Sequence, residues 1–185
     1  MTLYRVFPWD PAATAGAPFS PQHISPSQGS GRFDHPRGAV WYLAESPEHA
    51  VAEVLQGFRG RDFQPGMLRR FGHALAICAI ELPLDPDSPI VNLDSAEELG
   101  QRDLVPSMLA SDDRARTQAI AKRIHAEGAT GMRWWSRLSG DWHTVVVFLD
   151  RDAPSAMTIS TPTILDPGNT AVRSACRALG ISLAV

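Results

Sequence analysis

The stretch GRFDHPRGAVWYLA at residues 31–44 decides how this chain folds, and the segment SPEHAVAEV follows it at residues 46–54. Together they contain an arginine in a glycine-flanked loop, a predicted strand with two adjacent aromatic residues, and a predicted helix that carries Glu53. A guanidinium binds phosphate, aromatic faces stack on a base, and a carboxylate stabilises a developing positive charge. The grouping therefore suits an anionic ligand that contains rings.

Local signals place this stretch on defined elements. Residues 39–44 are predicted to form a strand in which Trp41 and Tyr42 face opposite sides, because side chains alternate along a strand. Ser46 followed by Pro47 is typical of a helix N-cap and a first helical residue, and we expect this helix to end at Gly57. The strand and the helix thus follow directly from the arginine loop.

The rest of the chain alternates between short apolar runs and capped helices. Apolar strands are predicted at residues 75–82 and 145–149, the second one buried on both faces because its residues do not alternate. Helices are expected to begin after Ser95, after Asp113 and at Thr170. Residues 8–31 are predicted to be a long loop, and residues 153–168 form a segment rich in Pro, Ser and Thr.

Composition indicates an ordinary globular protein of 185 residues, with 44% hydrophobic and 20% charged residues. Because strands and helices are interspersed without a regular βαβ rhythm or a glycine-rich dinucleotide fingerprint, we predict an α+β fold rather than a doubly wound one. We expect one domain, with a catalytic region at residues 1–152 and a C-terminal extension at residues 153–185. The amphipathic helix of that extension is expected to pack on the same domain.

Charge and hydropathy exclude several classes of function. The formal net charge of −3 argues against direct binding of nucleic acid, which requires a basic surface. The apolar runs Ala74–Ile80 and Val145–Leu149 are too short to span a membrane, and the N-terminus does not resemble a secretory signal. Cys78 and Cys176 are expected to be small core residues in a reduced cytoplasm, with a single disulfide as the alternative.

Five motifs, taken in order, resemble the RES domain. They are YRV at 4–6, GRF at 31–33, WYLA at 41–44, AVAEV at 50–54 and GMRWWS at 131–136. The resemblance covers roughly residues 3–150 and lies in the ordered combination of motifs, since each one alone is weak. The family is named for an arginine, a glutamate and a serine, which correspond here to Arg32, Glu53 and Ser136.

This resemblance implies a fold and an activity. The expected fold is similar to that of ADP-ribosyltransferase toxins, a split mixed β-sheet core flanked by helices. The expected function is that of a toxin in a bacterial toxin–antitoxin pair, which degrades NAD by cleaving the nicotinamide–ribose bond through hydrolysis or phosphorolysis. The implied partner is an Xre-like helix-turn-helix antitoxin.

Each candidate site residue has a functional and a structural interpretation. Glu53 is the candidate that stabilises the oxocarbenium-like cation, and its alternative is a solvated helix face. Arg32 is expected to bind the pyrophosphate or ribose beside Gly31, and its alternative is to pin a turn through Asp34. Ser136 is expected to bind ribose or orient Glu53, or else to be a turn serine.

Four further residues are candidates for contact with the dinucleotide. Tyr42 is expected to stack on nicotinamide while Trp41 packs in the core, or the reverse. Arg5 and Arg37 are secondary candidates for phosphate binding, each with a structural alternative. No histidine pair has the spacing of a metal site, so we expect no metal.

Other functions remain open at this point. ADP-ribosyl transfer to a protein target requires the same bond cleavage, and a non-catalytic module that binds a nucleotide or a partner would use the same surface. A nuclease fits poorly, because the chain is acidic and offers no carboxylate cluster for metal ions. The apolar stripe of the C-terminal helix either packs on its own core or forms a homodimer contact.

Overall fold

The structure is a computed structural model, and it describes residues 1–25, 29–35, 38–87, 89–151 and 156–183. The strands, in chain order, are β1 Thr2–Trp9, β2 Val40–Ala44, β3 Arg69–Arg70, β4 His73–Glu81, β5 Ile90–Asn92, β6 Gly131–Trp135, β7 His143–Phe148, β8 Thr158–Ile159 and β9 Thr163–Ile164. The helices are α1 Pro47–Leu55, α2 Ala96–Gln101, α3 Pro106–Leu109, α4 Arg114–Ala126 and α5 Thr170–Leu179.

The helix that follows the arginine loop begins where its capping signal predicts. The side chain of Ser46 accepts a hydrogen bond from the backbone N–H of His49 at 3.3 Å, and Pro47 opens α1. The helix ends at Leu55, two residues before the predicted Gly57, because the chain tightens there into a 3-10 turn at Gln56–Phe58. Because this cap fixes the residue at which α1 begins, it also sets the face of the helix on which Glu53 lies.

The capping predictions at Ser95 and Asp113 are also confirmed, and Asn169 caps α5, for which the sequence analysis named no cap. Ser95, Asp113 and Asn169 each accept a hydrogen bond from a backbone N–H in the first turn of α2, α4 and α5. The glycine that ends α5, Gly180, has a φ of 65°, which is the left-handed conformation that glycine adopts without strain. Helix boundaries in this chain are therefore set by local sequence.

The described residues form two compact units, and each is taken by itself. The first comprises Met1, Ile24–Leu43 and Leu82–Met157. In its sheet β5 pairs parallel with β6, β6 pairs antiparallel with β7, and β7 lies beside β2. Its core is formed by Phe33, Val40, Val91, Leu93, Leu99, Leu109, Ile120, Ala121, Ile124, Ala129, Met132, Trp134, Val146 and Phe148.

The second unit comprises Thr2–His23, Ala44–Glu81 and Thr158–Val185, of which residues 184 and 185 are not described. Here β1 pairs antiparallel with β4 along its whole length, and β3, β8 and β9 also pair with β4. The apolar stripe of α5 packs against α1. The C-terminal helix thus covers part of its own unit, while the division of the chain at residue 152 stays a prediction.

The α+β class is confirmed, since parallel and antiparallel pairings occur together and five helices are present among the described residues.

Cys78 and Cys176 are buried free thiols, and burial raises the pKa of Cys78 to about 11. Within the described residues, no helix is both long enough and apolar enough to cross a membrane. The sequence did not predict the helix α3 or the strands β1, β3, β5, β6, β8 and β9. Of these, β1 pairs with β4 and β6 pairs with β5, which lie far away in the sequence.

Candidate functional site

The loop that carries Arg32 is organised around the buried carboxylate of Asp34. Its Oδ2 accepts hydrogen bonds from the backbone N–H groups of Gly29 at 2.6 Å and Gly31 at 2.7 Å. Its Oδ1 accepts a hydrogen bond from the hydroxyl of Tyr42 at 2.7 Å, and that hydroxyl in turn accepts one from the N–H of Phe33 at 2.8 Å. The carboxylate and the phenol together fix the backbone on both sides of Arg32.

Gly31 is required by the close packing of this loop. A Cβ at this position would overlap Oδ1 of Asp34 and would lie 2.5 Å from the hydroxyl of Tyr42. The sequence interpretation assigned this glycine to the close approach of a ligand, whereas the atoms that approach it are those of the protein itself. Its role in the structure is to let the Asp34–Tyr42 hydrogen bond form beside the backbone.

Arg32 is half-buried and is held by contacts within the first unit. One terminal nitrogen donates a hydrogen bond to the backbone carbonyl of Leu109, and the guanidinium lies 5.2 Å from the ring centroid of Phe33. Phe33 packs on Trp134, with ring centroids 4.3 Å apart. The turn that carries Arg32 is pinned by Asp34, through its contacts with the loop backbone and with Tyr42.

Tyr42 and Trp41 point to opposite faces of β2, as predicted. Trp41 is buried, whereas 39% of Tyr42 is exposed. Burial of the phenol group raises the pKa of Tyr42 above its ordinary range, and the hydrogen bond to Asp34 raises it further. Tyr42 therefore stays protonated at neutral pH and serves as a hydrogen-bond donor to the loop.

Ser136 is buried directly after β6. Its hydroxyl accepts a hydrogen bond from the N–H of Leu138 at 3.1 Å, and its own N–H donates to the carbonyl of Trp142 at 2.6 Å. Trp134, against which Phe33 packs, lies two residues earlier on the same strand. Of the predicted site residues, Gly31 and Arg32 thus lie in one loop that is hydrogen-bonded to Tyr42 on β2, and this loop packs on the strand that leads to Ser136.

Glu53 belongs to the second unit and lies on the polar side of α1. Its Oε1 lies 3.0 Å from Nε2 of His49, one turn earlier, and its Oε2 accepts a hydrogen bond from the amide of Gln56 at 3.1 Å. The His49 side chain is buried, whereas 41% of the Glu53 side chain is exposed. The carboxylate is therefore held by a rigid neighbour while it still faces solvent.

Arg5, in the second unit, is half-buried against the loop that follows β1. Its two terminal nitrogens donate to the carbonyls of Pro21 at 2.9 Å and His23 at 2.8 Å, and burial lowers its pKa to about 10. These contacts give Arg5 the structural role that was its alternative in the sequence interpretation. Arg37, the other secondary candidate, lies outside the described residues.

Sequence reasoning missed a group of stacked rings in the first unit. His35 is buried, and its ring lies 4.0 Å from that of His125, whose Nε2 is 2.9 Å from Asp150. The residues are far apart in sequence, so no local motif signals the contact. In the part of the chain that the structure describes, no group of three or more His, Cys, Asp or Glu side chains is arranged to hold a metal ion.

Comparison with known proteins adds two findings. A family model described as RES domain matches residues 2–171. The crystal structure of the M. tuberculosis MbcT–MbcA toxin–antitoxin complex contains a similar chain, with a TM-score of 0.59, 18% sequence identity, and coverage of 97% of this chain and 88% of that chain. At this level of identity the likeness shows a shared fold. No curated protein sequence matches the chain significantly.

Proposed function

This chain belongs to the RES-domain family, as its ordered motifs predicted, and we propose that it is a toxin that degrades NAD by cleaving the nicotinamide–ribose bond. The observation that carries the proposal is the match of the family over residues 2–171, which includes all three residues for which the family is named. Support from the geometry comes from the fixed arginine loop and from the exposed, hydrogen-bonded carboxylate on α1.

The reaction requires little acid catalysis. When the bond between the ribose carbon and the nicotinamide nitrogen breaks, its electron pair neutralises the pyridinium, and an oxocarbenium-like cation remains on the ribose. In hydrolysis, water adds to this carbon and releases one proton, which gives ADP-ribose and nicotinamide. The protein must therefore bind the pyrophosphate, stabilise the cation and control access of the acceptor.

Arg32 is proposed to bind the pyrophosphate or the ribose. A guanidinium keeps its positive charge at neutral pH and forms paired hydrogen bonds with phosphate oxygens. The loop around Arg32 is held by the Asp34 carboxylate and the Tyr42 hydroxyl. Because the loop is already ordered, less conformational entropy is lost when the ligand binds. The exposed part of the Tyr42 ring is proposed to stack on the nicotinamide.

Glu53 is proposed to stabilise the ribosyl cation. A carboxylate is effective in this role when it is oriented before the substrate arrives, because no reorganisation is then needed during the reaction. The contacts of its two oxygens with His49 and Gln56 provide such orientation, and the exposed side chain leaves it accessible. Ser136, by family resemblance, is proposed to bind a ribose hydroxyl.

A toxin of this kind requires a partner that silences it. The solved relative MbcT is a toxin crystallised with its antitoxin MbcA. We propose that this chain likewise binds a small antitoxin, of the Xre-like helix-turn-helix type that the family resemblance implies. A segment of the antitoxin is proposed to cover the loop of Arg32 and Tyr42.

Identification of the reaction products by mass spectrometry tests this function. The purified chain is incubated with NAD in buffers with and without phosphate, and in the presence of a bacterial lysate. Nicotinamide together with ADP-ribose indicates hydrolysis, its 1″-phosphate indicates phosphorolysis, and protein-linked ADP-ribose indicates transfer. The first two results support the proposal, the third identifies the chain as a transferase, and intact NAD in every buffer would leave only a binding function.

A further inference from the structure

The side chain of Gln118 contacts the loop that carries Arg32 from outside that loop. Gln118 lies on α4, and its amide nitrogen donates hydrogen bonds to the carbonyls of Gly29 at 3.0 Å and Gly31 at 2.8 Å. A side-chain amide has two N–H hydrogens, so each carbonyl receives one of them. The reverse orientation of the amide would place its oxygen against two carbonyl oxygens, which repel it. Gln118 therefore acts as a double donor to the loop.

The N–H groups of the same two glycines are bound by Asp34. Its Oδ2 accepts hydrogen bonds from the N–H of Gly29 at 2.6 Å and from the N–H of Gly31 at 2.7 Å. The N–H and the carbonyl of both glycines are thus paired, the first with a carboxylate and the second with an amide. Glycine loses more backbone freedom on folding than any other residue, and Gly29 has a φ of 95°. The four hydrogen bonds restrict the backbone immediately before Arg32.

The helix that supplies Gln118 is well anchored in the first unit. α4 is capped by Asp113, and one of its faces is buried in the core. The short helix α3 precedes α4, and its last residue, Leu109, accepts a hydrogen bond on its carbonyl from the guanidinium of Arg32. The backbone before Arg32 and the side chain of Arg32 are therefore both held by the segment that comprises α3 and α4.

We propose that Gln118 is a positioning residue for Arg32. It holds the backbone of the two glycines, so that the guanidinium is presented to NAD in one conformation. The inference rests on the proposed function, because Arg32 has this substrate to bind only if the chain binds NAD. A residue that is fixed before its ligand arrives loses less conformational entropy on binding. Loss of the Gln118 amide should therefore weaken the binding of NAD.

A purely structural role for Gln118 predicts a different kinetic result. If the amide contributed only to stability, its loss would lower the fraction of folded enzyme, so that the apparent kcat would fall and KM would stay unchanged. Displacement of Arg32 instead weakens an interaction with bound NAD, so that KM rises. The two roles are therefore separated when KM and kcat are measured on the same variant.

The test uses Gln118→Met in the full chain, which removes both donors and keeps a helix-forming side chain of similar length. The second variant is Gln118→Glu, which has the shape of glutamine but whose ionised carboxylate can only accept hydrogen bonds. The control is Gln101→Met on α2, which removes an exposed amide that donates to Glu97 at 3.3 Å. Nicotinamide release is followed over a range of NAD concentrations, at temperatures where circular dichroism shows each variant to be folded.

We expect KM for NAD to rise about 10-fold in Gln118→Met and kcat to change less than about 3-fold, because two hydrogen bonds to the loop are lost. Gln118→Glu should show at least the same rise in KM, and Gln101→Met should match the wild type. Wild-type KM values in both folded Gln118 variants would overturn the inference and leave the proposed function intact, as would a fall in kcat with unchanged KM. A wild type that releases no nicotinamide would overturn the proposed function, and with it the inference.

Discussion

The hydroxyl of Tyr42 donates to Oδ1 of Asp34 at 2.7 Å and accepts from the backbone N–H of Phe33 at 2.8 Å. This pair links a strand residue to the loop that carries Arg32, and the other oxygen of Asp34 binds two further backbone N–H groups. Removal of either side chain leaves buried polar groups without their partners, which costs more than the hydrogen bond itself contributes. The pair therefore helps to hold the arginine loop in place.

A double-mutant cycle measures this support. Tyr42→Phe and Asp34→Asn are each expected to lower the free energy of unfolding by about 1–3 kcal/mol, because each leaves buried donors or acceptors unsatisfied. Since the two residues share one hydrogen bond, the double mutant should lose less than the sum, with a coupling of about 0.5–3 kcal/mol. Urea denaturation provides the values, and exact additivity would show that the two side chains act independently. Asp87→Asn, on an exposed aspartate, is the control.

The pH dependence of stability should report on Tyr42. Burial raises the pKa of its hydroxyl in the folded chain, whereas in the unfolded chain tyrosine ionises near pH 10, at about its ordinary value. The contribution of the protonated Tyr42 hydroxyl to the free energy of unfolding is therefore fully present below about pH 10, and it is lost as the pH rises above that value. In Tyr42→Phe, the loss of stability at alkaline pH should be smaller, because the hydroxyl that causes part of it is absent. The urea concentration at the unfolding midpoint is measured for the wild type and for Tyr42→Phe from about pH 9 to about pH 11. An equally steep fall in the two proteins would contradict the assignment of this pH dependence to Tyr42.

Gly31→Ala is expected to destabilise the chain by about 1–3 kcal/mol, because the added methyl group overlaps Asp34 and crowds Tyr42. The matched control is Gly57→Ala, where a Cβ has no described atom within 4 Å. Thermal melting compares the two variants. Nicotinamide release should fall in Gly31→Ala at temperatures where the variant is still folded, because the displaced loop carries Arg32. Equal stability of the two variants would show that the loop adjusts without cost.

Helix positions were predictable from this sequence because helix caps are local. Ser46, Ser95 and Asp113 each bond to a backbone N–H only three residues away, so the signal and the structure lie in one short segment. The strand β1 was not predicted, since Arg5 and Pro8 interrupt its apolar pattern. Its formation depends on pairing with β4, some seventy residues later, as the register of Thr2 with Glu81 shows.

The candidate site was predictable in its residue types but not in its contacts. The family motifs singled out Arg32 and Glu53, and residues four apart on a helix share a face, which brings His49 beside Glu53. By contrast, the contact of Arg32 with Leu109 spans 77 residues, and no local pattern encodes it. The same holds for Arg5, whose bonds to the carbonyls of Pro21 and His23 depend on the path of a long loop.

The role proposed for Glu53 is tested by the rate at which Glu53→Gln releases nicotinamide from NAD. Glutamine preserves the size of the side chain and removes the negative charge that is proposed to stabilise the ribosyl cation. The control is Glu48→Gln, in the first turn of the same helix. We expect kcat to fall about 100-fold or more in Glu53→Gln and to stay near the wild-type value in Glu48→Gln. A Glu53→Gln variant that releases nicotinamide at the wild-type rate would contradict this role.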